Sequence, residues 1–375
     1  MRPRAASLLC EEHHAPRVNV DERLALVREV GEEIVTEDEL RALLAAKPHP
    51  ICYDGFEPSG RIHIAQGILR AINVNKMTRA GCTFKMFVAD WHAWANNKMG
   101  GDLEKIQTVG KYFVEVWRAA GMDLENVKFV WASEFVDDPE YWKKVMNIAR
   151  DSSLDRILRT TQIMGRSEKD KLSASQILYP CMQAADIFHL EADITQLGMD
   201  QRKVNMLARE VAPKYGYAKP VVVSHHMLMG LQAPPTGEMD ASERATAMKM
   251  SKSNPDSAIF MTDSPADVER KLKKAFCPEK QVAENPVLEY YRYIVFEKFN
   301  EVVIERPEKF GGKLAFASYA ALEAAFAEGK LHPMDAKKAC AHYVNLLLEP
   351  VRQHFETNAE ARKLKELVES WQVTR

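Results

Sequence analysis

The sequence predicts an α/β protein: a parallel sheet interrupted by a helical insertion, followed by an all-α C-terminal domain. Three observations carry the prediction. Short, nearly continuous apolar runs (FKMFVAD at 84–90, VKFVWAS at 127–133, PVVVS at 220–224) alternate with segments of helical periodicity. That is the pattern of strands buried on both faces in βα units. Between 134 and 192 the chain reads as helix with no central strand, as a helical insertion between two halves of a sheet would. Beyond Ser264-Pro265, a helix start with Asp267 three residues past the serine, every segment reads as helix.

Taken in order, residues 1 to about 20 open on MRPRAASLLCEEHH. This stretch lacks the apolar core of a secretory leader, carries acids an organellar presequence avoids, and reads as a flexible start. Residues 37–46 form a short helix, and 51–62 run from a strand-like start through a Pro/Ser/Gly turn. From His63 to Arg79, Ile64, Ile68, Ile72 and Met77 recur at helical spacing, and Gly81 follows as a stop. After the strand at 84–90 comes a helix over 102–120 closed by Gly121, then the strand at 127–133. The sheet resumes with DITQLG at 193–198, a helix over 200–212 and the strand at 220–224. Residues 232–247 are small and polar with Pro and Gly, which predicts a mobile loop. The α/β domain is thus expected over 21–263, with its insertion at 134–192, and the helical domain over 264–375. Helices in the latter are expected near 264–275, 286–304, 318–328, 334–348 and 358–371.

Composition excludes several classes. The chain has 375 residues, room for two or three domains at ~150 residues each. No apolar run approaches the ~18–20 residues of a membrane-spanning helix. Lys and Arg number 51 against 53 Asp and Glu, so a strongly basic nucleic-acid binder is excluded and any RNA must be held by a local surface. The six cysteines form no CxxC pair and no metal-ligand spacing. Reduced core thiols in a cytoplasmic protein are the expectation.

The strongest local signal is Lys249-Met250-Ser251-Lys252-Ser253, directly after the flexible stretch. Two lysines three apart on a short loop are either a solvated basic loop or a clamp over a polyphosphate, stabilising charge as pyrophosphate leaves. The five residues match the KMSKS signature of class I aminoacyl-tRNA synthetases. The partner element of that class, HIGH, is resembled by His63-Ile64-Ala65-Gln66, followed by Gly67, with Ala65 in place of Gly and Gln66 in place of the second His. A helix amino terminus there would offer free N–H groups to phosphates, and a Gln amide can donate but cannot carry a proton.

A third signal is the helix beginning at Ser173, where Ser173 and Gln176 form a capping box. Tyr179, Gln183 and Asp186 fall on one stripe of it, and apolar residues make it buried on most sides. A buried carboxylate needs a partner, so Asp186 meets either an Arg or Lys in a structural ion pair or a ligand hydroxyl or ammonium. Asp90 and His92 in VADWHAW end a strand at the carboxyl edge where open α/β sheets bind ligands. His92 there is either a hydrogen-bonded structural residue or a direct contact.

Most of the chain resembles tyrosyl-tRNA synthetases of the eukaryotic and archaeal type, through YDGFEPSGRIH (53–63), VADWHAW (88–94), YPCMQAAD (179–186), LGMDQRK (197–203), RPEKFGG (306–312) and LHPMD (331–335). The resemblance implies a Rossmann-like catalytic domain and a homodimer formed through the helical insertion. It implies that Tyr53 and Asp186 contact the phenolic hydroxyl of L-tyrosine and that Tyr179, Gln183 and Gln201 hold its amino and carboxylate end. ATP would be bound by His63, Gly67, Gly198, Asp200 (on the ribose), Lys249, Ser251 and Lys252, with Mg²⁺ on its phosphates. His63, Gln66, Lys249 and Lys252 would act in catalysis. Arg202 and Lys203 would lie near the acceptor end of tRNA(Tyr), while Phe310, His332 and Asp335 would read the first anticodon base in an anticodon-binding C-terminal domain. LHPMD also reads as a plain helix start. A phenol both donates and accepts, so a Tyr hydroxyl and an Asp satisfy it, whereas phenylalanine would strand both groups. The expected reaction is therefore tyrosine–tRNA ligation, needing no side-chain nucleophile and no editing domain. The rivals are a tryptophanyl-tRNA synthetase and a synthetase-like RNA-binding protein without catalysis, the latter raised by Ala65 and Gln66.

Overall fold

The computed structural model describes residues 19–165, 171–237, 239, 244, 247–250 and 254–371. Residues 1–18 of the flexible start expected up to about residue 20, part of the loop expected at 232–247, and Ser251, Lys252 and Ser253 lie outside these residues. Among the described residues, a six-stranded sheet is built from β1 (Gly31–Val35), β2 (Ile51–Phe56), β3 (Thr83–Val88), β4 (Val127–Trp131), β5 (Ile194–Thr195) and β6 (Val221–His225). The spatial order is β1-β6-β5-β2-β3-β4, with β6 through β4 parallel and β1 antiparallel at the edge. β2 lies between β5 and β3, so the strand order reverses about it and a crevice opens at the carboxyl ends, the usual ligand position in such sheets.

The parallel strands are the expected apolar runs, with Phe84, Met86, Val222 and Val223 buried. Two features differ from expectation. β1, with sequence GEEIV, carries two glutamates and gives no apolar run, yet it pairs with β6 from Gly31 to Val35. β5 is two residues long rather than six, although Gln196 N still donates to Tyr53 O at 2.9 Å. The helix before β1, α1 (Val20–Val30), was also not expected; it starts on an Asn19–Glu22 capping box. α2 (Glu37–Ala46) holds the predicted span. The helix expected from His63 is a π-turn, Ala65–Leu69, running into α3 (Arg70–Arg79). Next come α4 (Asp90–Ala95) and α5 (Leu103–Ala119), the latter capped by Asp102.

Between β4 and β5 lie α6 (Pro139–Asp151), α7 (Leu154–Thr160) and α8 (Ala174–His189), and α9 (Arg202–Val211) precedes β6. The Ser173–Gln176 capping box at the head of α8 is present. The C-terminal part is helical: α10 (Pro265–Lys274), α11 (Pro286–Tyr290), α12 (Tyr319–Ala327), α13 (Pro333–Thr357) and α14 (Ala359–Ser370). The helix expected over 286–304 stops early, because the β-branched run Val302–Ile304 (β7) pairs antiparallel with Leu314–Phe316 (β8). The C-terminal helices pack on α5, where His354 Nε2 meets Glu115 at 2.7 Å. Among the described residues no helix is long and apolar enough to cross a membrane.

Candidate active site

A cavity of about 290 Å³ occupies the crevice at the carboxyl ends of β2, β3 and β6. One end is dry. Asp186, on α8, is fully buried; its Oδ1 accepts from Tyr141 OH at 3.0 Å and its Oδ2 lies 2.9 Å from His92 Nε2. The second approach is a charge contact without the alignment of a hydrogen bond, so Oδ2 keeps room for a further donor. Of the two partners open to Asp186 on sequence grounds, neither Arg nor Lys is found: its ion pair is with an imidazole. Burial disfavours the His92 imidazolium, but the Asp186 carboxylate outweighs it and raises the protonation of His92 above the usual range. His92 thus stands in the cavity wall as a contact of Asp186.

Tyr53, at the heart of β2, lines the same end and packs its ring 5.9 Å from that of Phe87. Burial, then the field of Asp186, pushes the Tyr53 phenol well above its ordinary range, so it stays an O–H donor. Tyr179 stands edge-on to His92, ring centroids 5.3 Å apart. One turn along α8, Gln183 Nε2 donates to Gln201 Oε1 at 3.0 Å, and Gln201 Nε2 donates to Ile163 O at 3.0 Å. The predicted stripe Tyr179–Gln183–Asp186 therefore faces the cavity as one surface.

The other end is wetter. Lys249 Nζ lies 3.2 Å from Asp200 Oδ2, with the two side chains 31% and 16% exposed. Backbone bonds hold the start of the lysine loop: Met229 bridges to Lys249, and Gly230 N donates to Met248 O at 2.7 Å. Any side chain at Gly230 would stand 3.2 Å from Met248 O, so the close approach favours glycine. His63, Gln66 and Gly198 line the wall here. Two expectations for the HIGH-like element need correction. Three of its amides are already taken, since Ile64 N donates to Ile259 O at 2.8 Å and Gln66 N and Gly67 N to His63 O at 2.9 Å. Gly67 does not line the cavity; its missing side chain makes room for Met261, whose Sδ would sit 2.3 Å from a Cβ.

Asp54, in the cavity lining, forms a buried ion pair that sequence reasoning missed, its Oδ2 2.6 Å from Arg70 Nη1. Burial pushes the Asp54 carboxyl up to about 7 against the pull of Arg70. Tyr141 was missed too: it is 45 residues from Asp186, and no periodicity links them. Ser251 and Lys252 lie outside the described residues, and the residues expected to meet tRNA lie outside the cavity. Arg202 pairs with Glu33 at 2.8 Å, and Lys203 donates to Gln162. Phe310 is 61% exposed on a short turn. His332 is the N-cap of α13, its Nδ1 accepting from Met334 N at 3.1 Å, and Asp335 lies in the first turn.

With the geometry in place, comparison with known proteins is specific. Residues 45–349 match the family of class I tRNA synthetases (W and Y). Over 359 residues the chain is 55% identical to the cytoplasmic tyrosine–tRNA ligase 1 of Arabidopsis thaliana, covering 95% of this chain and 90% of that one. The tyrosyl-tRNA synthetase of Pyrococcus horikoshii, solved with L-tyrosine, superposes with a TM-score of 0.87 at 40% identity, covering 93% of this chain and all (100%) of that one. The Leishmania major enzyme, solved with tyrosinol, gives 0.86 at 48% identity; it covers 95% of this chain, which spans 61% of that longer one. The chain belongs to the class I tRNA synthetases and, within them, to the tyrosyl-tRNA synthetases of eukaryotic and archaeal type.

Proposed function

We propose that the chain activates L-tyrosine with ATP and transfers it to tRNA(Tyr). The observation that carries this is the buried acceptor Asp186, with an oxygen still open to a donor, sharing one cavity with the donor Tyr53 and with the lysine loop. The tyrosine phenol donates to Asp186 Oδ2 and accepts from Tyr53, while Tyr179, Gln183 and Gln201 hold the ammonium and carboxylate. A tyrosine carboxylate oxygen then attacks the α-phosphorus of ATP. The new O–P bond forms as the α,β-anhydride bond breaks, and pyrophosphate leaves with the bonding pair. The 3′-terminal ribose hydroxyl of the tRNA next attacks the mixed anhydride, losing its proton as AMP departs.

Alignment of the reactants and charge stabilisation supply the catalysis. Lys249 exchanges Asp200 for the phosphates, Lys252 and Ser251 join it, and His63 and Gln66 contribute side-chain donors. Asp200, beside Gly198, is left to the ribose. Mg²⁺, carried in on the ATP phosphates, would supply charge neutralisation there. The described residues gather no cluster of three acidic, His or Cys ligands that would cage it.

Outside the cavity, Phe310, His332 and Asp335 are assigned to the first anticodon base, within an anticodon-binding region over 264–375. Arg202 and Lys203 are assigned to the acceptor end. The helices between β4 and β5, within the insertion at 134–192, are assigned to a homodimer contact. Trp142, Leu178 and Met182 of these helices line an apolar hollow together with Trp91 of α4, and Met146, Leu154 and, on α4, Trp94 are exposed. The cytoplasm is the assigned compartment, as for the Arabidopsis relative. ATP–pyrophosphate exchange tests the reading: it should require tyrosine and ignore tryptophan. Exchange with tryptophan alone would make the chain a tryptophanyl enzyme, and tRNA affinity without exchange would leave a binding protein.

A further inference from the structure

His225 ends β6 in the cavity wall, and its protonation pattern follows from its neighbours. Nδ1 lies 3.1 Å from Arg70 Nη1 and 3.0 Å from Gln196 Nε2. A guanidinium has only donors, so Nδ1 must accept, and the single proton of the ring sits on Nε2. Burial, followed by the charge of Arg70, drives protonation of His225 well below the ordinary imidazole range, so the ring remains a neutral donor. Arg70 is itself fixed by the buried carboxylate of Asp54 at 2.6 Å, which anchors the arrangement from below.

Nε2 lies beside Gly198 in the cavity wall. A Cβ on Gly198 would lie 2.5 Å from Met227 Sδ, 2.8 Å from Asp200 Oδ1 and 3.5 Å from His225 Nε2, so the sulfur fills the room of the missing side chain and the two polar atoms border it. An anionic acceptor and a neutral donor thus line the same stretch of cavity wall beside Gly198. Phosphate would be repelled by the first and only weakly held by the second, whereas a hydroxyl, which donates and accepts, satisfies both. We propose that His225 binds the nucleotide, its Nε2–H donating to the ribose hydroxyl oxygen whose proton Asp200 accepts. This deepens the ATP-binding role given to the Lys249 end and rests on it. Arg70, Asp54 and Gln196 are positioning residues for the imidazole.

The test is tyrosine-dependent pyrophosphate exchange by the full chain with ATP, 2′-deoxy-ATP and 3′-deoxy-ATP. His225→Leu, which removes donor and acceptor, should raise the KM for ATP about 3- to 10-fold, the weight of one neutral hydrogen bond, with the KM for tyrosine unchanged. His225→Gln, with a carbonyl for Arg70 and an N–H for the ribose, should restore most of the loss. The wild-type chain should show a raised KM for one of the two deoxy nucleotides, and His225→Leu should narrow that difference. An unchanged KM for ATP in His225→Leu, or an equal rise for all three nucleotides, overturns the inference. If His225→Leu does not fold, equal wild-type KM values for the three nucleotides overturn it instead. Absence of exchange in the wild-type chain would sink the ATP reading itself, whereas normal exchange without ribose discrimination sinks the ribose contacts of His225 and Asp200 and leaves the ATP reading standing.

Discussion

At one end of the cavity Asp186 is fully buried between Tyr141 and His92, while at the other Lys249 and Asp200 meet with 31% and 16% of their side chains exposed. The buried end is preorganised: its partners are in position before a ligand arrives, and removing one strands the others in a low dielectric. The exposed end holds its charges loosely enough for phosphates to replace a protein partner. On the proposed reading, selection of the amino acid would fall to the buried, neutralised pocket, and handling of the polyanion to the end where Lys249 can exchange Asp200 for phosphate.

The largest break in that contrast is Asp186→Ala. It leaves His92 without a counter-charge and Tyr141 without an acceptor, so unfolding in urea should show a loss of about 3–5 kcal/mol. The KM for tyrosine should rise by roughly 10²–10³, from loss of a charged acceptor in a dry site. Asp186→Asn, which keeps the shape and one acceptor, should recover much of the stability and little of the affinity. A tyrosine KM that does not move would remove Asp186 from the substrate pocket.

Lys249→Ala probes the opposite end. Single-turnover adenylate formation should slow by about 10²-fold, with tyrosine binding within a factor of two, as the lost charge acts where pyrophosphate departs. Salt sharpens the same point. Raising the ionic strength should weaken ATP binding, since the exposed charges are screened, and leave tyrosine binding nearly unchanged. Equal salt sensitivity for both substrates would abolish the distinction between the two ends.

The buried end was half legible in the sequence. Tyr179, Gln183 and Asp186 lie on one helix, so helical periodicity alone places them on one face. Tyr141 and His92 reach Asp186 from other elements, 45 and 94 residues away, and no local pattern encodes such a meeting. The parallel strands were legible because burial on both faces writes a continuous apolar run. β1 is not, because an edge strand tolerates the glutamates of GEEIV, and β7 reads as helix in the sequence because a three-residue strand is too short to show a period. The HIGH-like element was legible by type but not by geometry, since a π-turn that satisfies its own amides reads in sequence like an ordinary helix start.

Away from the cavity the expected effects are smaller. Phe310 is exposed and makes no part of the core, so Phe310→Ala should leave folding and pyrophosphate exchange intact while lowering kcat/KM for tRNA charging about tenfold, the cost of one stacked base. It is a cleaner probe than His332→Ala, which also removes the cap of α13. Equal loss in exchange and charging would make Phe310 part of the scaffold instead.

The smallest effect comes from His226, in the cavity wall between the two ends. Its Nδ1 meets Glu32 at 2.9 Å beside β1, and its Nε2 lies 3.2 Å from Glu289 on α11, with the ring stacked on Tyr293. Burial opposes the imidazolium, but Glu289 and Glu32 raise its protonation to about 9, against 6.5 for a free imidazole. The folded state therefore holds the proton more tightly than the unfolded one. Its stabilisation is complete below about pH 6.5 and is lost as pH rises through 9. Glu32 is half exposed, so screening reduces the effect to the order of 1 kcal/mol. Urea midpoints measured between pH 6.5 and 9.5 should fall more for the wild-type chain than for His226→Gln, which lacks the titrating group. Parallel slopes would mean that this link between the sheet and the C-terminal helices carries no net charge coupling, and that the wall behaves like the exposed end.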